Sequence, residues 1–346
     1  MTKISRNTFI KWGLVLAGGV VAGKVWLQKK MISIQMENSN AKIGHLLRDP
    51  GFKQTKHAIS SKTHIDVCII GGGISGLSTA RMLNKNKVPF LLLELNEELG
   101  GNAIGGKNEV SEYPWGAHYL PIANLNQAEL ISFLKEMNII TGMATNGKPI
   151  YNEFFLCSEP EERLYIHHYW QEGLVPALGM KEQDSEEMRR FFKMIHTYKN
   201  AVGSDRKEAF CIPIANSSRD KEFLDLDKLT FKDFLHQQNF TSEYLFWYLN
   251  YCCKDDFGTQ LADTSAWAGI HYFAARKGIA DNAKDDDVVT WPEGNNFLVK
   301  GLSEPIKGSV QKGAFVISVE EVGNVGVLVT YLNTKNQTYH QVECNS

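Results

Sequence analysis

Three glycines, Gly71, Gly73 and Gly76, have the spacing G-x-G-x-x-G. The chemistry that this spacing serves is the binding of a dinucleotide pyrophosphate. Gly71 permits a tight turn, and Gly76 allows a following helix to pack closely on a sheet. Because Gly73 has no Cβ, the backbone there is able to approach the phosphates. The unpaired N–H groups at the helix N-terminus would then face the phosphate charge.

The elements that must position these glycines can be read on both sides of them. Residues 65–70 form an apolar, β-branched run typical of a buried strand, and residues 74–83 have helical periodicity. Residues 88–94 predict a second buried strand that ends at Glu94. A carboxylate in that place accepts hydrogen bonds from ribose hydroxyls and repels a 2′-phosphate. Residues 65–94 therefore predict a Rossmann-type dinucleotide-binding unit.

Two later glycine motifs follow the acid. Gly100 and Gly101 come first, and Gly116 and His118 lie further on. In these residues the chain resembles the flavoprotein superfamily that includes amine oxidases, phytoene desaturases and protoporphyrinogen oxidases. Asn102 departs from the family pattern, which usually has arginine after the glycine pair.

The resemblance implies a fold and a cofactor. The implied cofactor is FAD, and the implied α/β fold has a Rossmann-type FAD-binding domain, a mostly helical substrate domain and an antiparallel β-meander. Backbone near Val316 is implied to meet the adenine. The implied cofactor-binding residues are Gly71, Gly73, Gly76, Glu94, Gly100, Gly101, Gly116, His118 and Val316. No residue is assigned a catalytic role.

His118 has two open interpretations. It is either a packed histidine that a backbone carbonyl satisfies, or a residue on the flavin side of the substrate pocket. Trp291 is the second candidate for lining that pocket. The aromatic cluster at residues 244–248 is interpreted as helix core, with a pocket wall as the alternative.

The chain divides into segments by pattern. Residues 31–62 predict a linker with a short helix near residues 43–47, and residues 63–125 predict the first part of the FAD-binding domain. Residues 126–287 predict the helical substrate domain, in which Asp184 with Glu187 and Thr230 with Asp233 resemble helix-start capping boxes. Residues 288–346 predict a return to the FAD-binding domain with three meander strands. In the resembling family a further strand and a closing segment follow, so the resemblance implies that this chain is a C-terminally incomplete fragment.

Residues 1–30 have the layout of an export signal. Residues 5–11 resemble a twin-arginine signal, with Asn7 in place of the second arginine, and an apolar stretch follows at residues 12–25. The segment predicts export to the periplasm or attachment to a membrane, and a cytoplasmic location is the alternative.

Charge and cysteine content restrict the function classes. The formal net charge is −2 and no basic stripe is present, which argues against a nucleic-acid partner. The six cysteines have no C-x-x-C spacing, so neither a zinc site nor a redox dithiol is predicted. Adjacent Cys252 and Cys253 are predicted to be small buried side chains.

The function predicted from these patterns is an FAD-dependent oxidoreductase that takes a hydride from a small organic substrate. The sequence has no second strand–G-x-G-x-x-G–helix unit for a nicotinamide nucleotide. Electrons would therefore enter from the substrate and leave to oxygen, a quinone or a protein carrier. A flavin-dependent isomerase or mutase and a non-catalytic, membrane-tethered flavin-binding protein are the alternatives.

Overall fold

The structure is a computed structural model that describes residues 41–54, 58–157, 162–284, 287–323 and 326–345. It divides into two compact units, residues 1–57 and residues 58–346. The signal or anchor predicted for residues 1–30 lies outside the described ranges. Within those ranges no helix has both the length and the apolar character needed to cross a bilayer.

The described part of the first unit is helical. Helix α1 (Ala41–Gly44) continues into a 3₁₀ turn, His45–Arg48, and α2 (Pro50–Gln54) follows. The short helix predicted near residues 43–47 is therefore confirmed.

The second unit begins with a strand where a linker was predicted. Strand β1 (Ile59–Ile65) starts inside the predicted linker, so that boundary was wrong. Its interior residues are exposed, and this edge position explains why no apolar run marks it.

The predicted Rossmann elements follow directly. They are β2 (Val67–Ile70), α3 (Ile74–Lys85) and β3 (Phe90–Glu94). The two strands pair in parallel, as a crossover helix requires. Leu77 and Ala80 bury one face of α3 against the sheet. The predicted strand–turn–helix–strand order is confirmed.

Short strands and helices occupy the region predicted to be helical and the segment before it. The strands are β4 (Gly105–Lys107), β5 (Glu112–Pro114), β6 (Tyr119–Pro121), β7 (Ile140–Met143), β8 (Pro149–Tyr151), β9 (Arg163–Ile166) and β10 (Tyr169–Glu172). The helices are α4 (Ala128–Glu136), α5 (Glu182–Lys199), α6 (Lys221–Leu224), α7 (Phe231–Gln237), α8 (Glu243–Phe257) and α9 (Ala266–Ala274). The hairpins β7–β8 and β9–β10 were not predicted.

The N-termini of α7 and α5 show which of the predicted capping patterns form. Thr230 caps α7 and its hydroxyl accepts the Asp233 N–H at 3.0 Å, as predicted. Helix α5 instead begins after Lys181, whose N–H donates to Asp184 Oδ2 at 3.0 Å. The predicted pairing of Asp184 with Glu187 is therefore wrong, because Glu187 reaches another helix.

The chain then returns to the sheets. The elements are β11 (Val288–Thr290), α10 (Asn296–Ser303), the 3₁₀ helix Glu304–Ser309, β12 (Val310–Lys312), β13 (Ala314–Val322), β14 (Gly326–Asn333) and β15 (Thr338–Cys344). Strand β12 adds in parallel to β3, giving the order β12-β3-β2. The three predicted meander strands are confirmed, and β15 also pairs in parallel with β1.

Three hydrophobic clusters lie beneath these elements. The first packs α3, β2 and β3 with α4 and α10, and the second packs the helices α5 to α9. The third joins Leu93 of β3 to the meander. The helical cluster and the sheet clusters are thus separate cores, and a cavity lies where β6 and β11 meet the helices.

Candidate functional site

The G-x-G-x-x-G turn has the geometry that its glycines predict. Gly71 has a φ of 99°, in the region that favours glycine. A Cβ on Gly76 would lie 2.0 Å from the Gly71 carbonyl oxygen, so only glycine allows this approach of helix to strand. A Cβ on Gly73 would meet nothing within 4 Å. Gly73 therefore borders open space at the N-terminus of α3, which is the space that a pyrophosphate needs.

Glu94 stands at the carboxyl end of β3 and orders the loop beside it. Its Oε2 accepts the Gly72 N–H at 2.6 Å, and its Oε1 accepts the Asn96 N–H at 2.7 Å. The side chain is buried, so these two bonds fix its orientation. Each carboxylate oxygen has further acceptor capacity, which a ribose hydroxyl could use.

The glycine pair lies against the first glycine motif. The Gly100 N–H donates to the Gly72 carbonyl at 2.8 Å, and Gly73 and Gly100 form a parallel bridge. A Cβ on Gly101 would lie 3.2 Å from the Gly73 Cα. The structure thus brings the two predicted motifs together around the open space at Gly73.

Asn102 connects this turn to the third glycine motif. Its carbonyl accepts the Ala117 N–H at 2.9 Å, and a Cβ on Gly116 would lie 2.5 Å from Asn102 Oδ1. The departure from arginine therefore places a neutral side chain against the Gly116 segment.

His118 and Val316 are the remaining two predicted cofactor-binding residues. The His118 ring Nδ1 is 3.1 Å from the Gly116 carbonyl, and the exposed ring also lines the cavity. The ring is therefore not packed in the core, and its place on the flavin side of the pocket stays a prediction. Val316 lies on β13 and packs in the cluster that contains Leu93, next to Glu94.

Trp291 does not line the cavity, so that prediction is wrong. It is 5% exposed and stacks on Phe297, with ring centroids 5.0 Å apart and planes 7° from parallel. Phe155 packs on the same pair. The apolar partners hold the indole in the core.

The cavity has a volume of about 580 Å³ and lies between the strands β6 and β11 and the helices α5, α8 and α9. Its aromatic wall consists of Tyr119, Phe192, Tyr248, Tyr251, Tyr272 and Phe273. Helix α8 divides the cluster at residues 244–248, because Leu245 and Phe246 pack in the helical core, Tyr248 lines the cavity and Trp247 is exposed. The core and pocket-wall interpretations of this helix are both correct for different residues.

Charged groups of both signs line the same cavity. Glu162 and Asp255 supply carboxylates, and Lys199 and Arg276 supply cations. Burial raises the pKa of Glu162, and the nearby Asp255 carboxylate raises it further. A cavity of this size, with an aromatic wall and a few charges, is typical of a site for a small organic molecule.

Sequence reasoning missed these charged residues. They come from a loop before β9, from the ends of α5 and α8, and from the residues after α9. No short motif contains them. The position of Arg276 just after the end of α9 is the one local feature that marks it.

The chain was compared with known proteins. Residues 69–137 match the family described as NAD(P)-binding Rossmann-like domain. Amine oxidase [flavin-containing] A of Sus scrofa is 37% identical over 79 residues, which are 22% of this chain and 14% of that protein. The chain therefore matches only a small part of this relative's length.

Solved structures extend the comparison to most of the chain. A triple mutant of putrescine oxidase has a TM-score of 0.56 at 16% identity, covering 82% of this chain and 57% of the other. Cyclohexylamine oxidase from Brevibacterium oxydans IH-35A has a TM-score of 0.54 at 17% identity, covering 81% and 56%. The predicted resemblance and the predicted α/β fold are confirmed.

Proposed function

We propose that this chain binds FAD at the Gly73 turn and acts in the oxidation of an organic amine held in the 580 Å³ cavity. One observation carries the proposal: the segment from Gly116 to His118 joins the glycine-lined turn to the cavity wall. The proposed cofactor site and a cavity large enough for a substrate are thus connected by a few consecutive residues.

The residues fit FAD on three counts. Gly73 leaves room at a helix N-terminus, Glu94 has acceptor capacity for a ribose, and Gly101 approaches Gly73 without a side chain between them. Asn102 is neutral where the flavoprotein pattern usually has arginine, so this position supplies no positive charge to the phosphates. We therefore assign the phosphate contact to backbone N–H groups of the turn.

The amine is supported by the chemistry of the cavity as well as by the names of the similar proteins. FAD, when bound, supplies a two-electron acceptor. An amine must lose its ammonium proton before it can give up a hydride, and the Glu162 and Asp255 carboxylates are placed to accept that proton. The raised pKa of Glu162 brings its proton affinity closer to what this step requires. The aromatic side chains of the wall would shield part of a bound substrate from water.

Flavin content and anaerobic reduction test the proposal. The full chain should be yellow, should release FAD on denaturation, and should lose its flavin band when mixed with benzylamine without oxygen. NADH should leave the band intact for minutes. Gly73→Val should remove the flavin, because its side chain occupies the open space, while Gly308→Val should retain it. Gly308 also faces open space, but it lies in the 3₁₀ helix after α10.

Three outcomes would contradict the proposal. A colourless protein would exclude the cofactor, and rapid bleaching by NADH would indicate a reductase. If the protein rearranges a substrate without consuming an electron acceptor, the isomerase alternative is indicated instead.

A further inference from the structure

Arg276 is a charged cavity residue whose chemistry the proposed amine oxidation does not use. It follows α9 directly, and the described structure leaves its side chain 32% exposed at the cavity wall. Its guanidinium lies over the Tyr272 ring, 4.4 Å from the centroid. A cation held in this way is partly removed from water and fixed in direction.

The hydrogen-bonding capacity of Arg276 is mostly unused within the cavity. Its one carboxylate neighbour within 4 Å, among the residues that the structure describes, is Asp256, at 3.8 Å. That distance is too long for a hydrogen bond. The Tyr119 hydroxyl is the side-chain group that bonds to it. A guanidinium has five N–H donors, so most of its planar fork has no side-chain acceptor among the residues that the structure describes.

Asp256 is a weak partner for a second reason. Burial raises the pKa of its carboxyl, Arg276 opposes this only in part, and the neighbouring Asp255 adds a smaller increase. Because 3.8 Å is beyond hydrogen-bond reach, the Asp256 carboxylate compensates the guanidinium charge only in part. The free energy of the site would therefore fall if an anion bound there.

The cavity contains cations that oppose an ammonium group as well as carboxylates that attract it. Arg276 and Lys199 both line it, and each would repel an ammonium group in a site of low dielectric. Glu162 and Asp255 attract that same group. A molecule that carries both a positive and a negative group would therefore complement the charges that line the cavity.

Resting on the proposed amine oxidation, we infer that the substrate is an amine that also bears a carboxylate, and that Arg276 binds this carboxylate. The planar guanidinium suits a bidentate contact with a planar carboxylate. The cavity of about 580 Å³ is large enough for an aromatic amino acid. Arg276 is then the residue that selects amino acids over the amines obtained from them by loss of CO₂.

The test uses the flavin-loaded full chain and two probes of one shape, benzoate and its neutral analogue benzamide. Calorimetry should show that benzoate binds at least about tenfold tighter than benzamide, the ratio that one charge-assisted contact of ~1.4 kcal/mol gives. Arg276→Met should abolish this preference. Lys277→Met is the matched control, because Lys277 pairs with Glu208 at 3.3 Å and does not line the cavity.

Turnover provides the second measurement. The ratio of kcat/KM for phenylalanine to kcat/KM for phenethylamine should favour phenylalanine in the wild type and fall at least tenfold in Arg276→Met. An unchanged ratio, or equal binding of benzoate and benzamide by the wild type, would overturn the inference. If Arg276→Met does not fold, the binding of benzoate and benzamide by the wild type alone tests the inference. If neither amine reduces the flavin, the proposed function fails, whereas the benzoate result still tests Arg276.

Discussion

Gly76→Ala should destabilise the folded chain because the close approach of α3 to the turn after β2 leaves no room for a methyl group. The added Cβ would lie 2.0 Å from the Gly71 carbonyl oxygen and 3.2 Å from its carbon. The first distance is more than 1 Å shorter than an ordinary contact. Both atoms belong to backbone, so no rotamer change relieves the overlap, and the helix must shift from the sheet.

The expected change in the free energy of unfolding is the difference between two opposing effects of the added methyl group. Alanine in place of glycine inside a helix stabilises by about 1 kcal/mol. Overpacking by one methyl costs about 1–3 kcal/mol, and the upper end applies where backbone must move. We expect a net loss of about 2 kcal/mol in the free energy of unfolding, together with weaker flavin retention.

Thermal unfolding of the flavin-free protein is the assay, with Gly73→Ala as the matched variant. Gly73 is at the helix N-cap and a Cβ there meets nothing within 4 Å. Gly73→Ala should therefore keep the unfolding temperature within a few degrees of wild type while it weakens flavin binding. If Gly76→Ala melts at the wild-type temperature, or if Gly73→Ala is the less stable of the two, the reasoning is refuted.

Two further predictions concern buried groups. Glu187 accepts the N–H groups of Thr241 and Ser242 at 2.7 and 2.8 Å, and these bonds lower its pKa below the usual 4.5 although burial opposes them. This stabilisation is present above pH 4.5 and is lost as the pH falls through the lowered pKa. Melting curves between pH 7 and 3 should show a smaller acid loss for Glu187→Gln than for wild type, and equal losses would exclude this role. Burial raises the pKa of Cys252 to about 12, so iodoacetamide at pH 8 should label it only after denaturation, as mass spectrometry can show. Labelling of the native protein would contradict that description.

The sequence predicted the parts of this molecule whose function depends on local spacing. The turn at Gly71, the strand that ends at Glu94 and the cap at Thr230 are each determined by a few neighbouring residues. Backbone sterics and one side-chain bond are sufficient to define them. The resemblance to flavoproteins then added Gly100 and Gly101 to the predicted cofactor-binding residues.

Other features depend on contacts that spacing does not encode. Glu187 looked like part of a helix cap, but its carboxylate bonds to the start of α8. Trp291 looked like a pocket residue, but Phe155 and Phe297 enclose it. Arg276 joins Glu162 in one cavity only because the helices α5, α8 and α9 pack together. Tertiary packing decided all three.

The pairing of β1 with β15 has a consequence for folding during synthesis. Ile59 pairs with Tyr339, so β1 leaves the ribosome long before its partner exists. At about 5–20 residues per second the wait is on the order of tens of seconds. An unpaired strand is a hazard for aggregation during such an interval. Strand β1 reads ISSKTHI, with polar residues at every interior position, and this composition protects the nascent chain until β15 arrives.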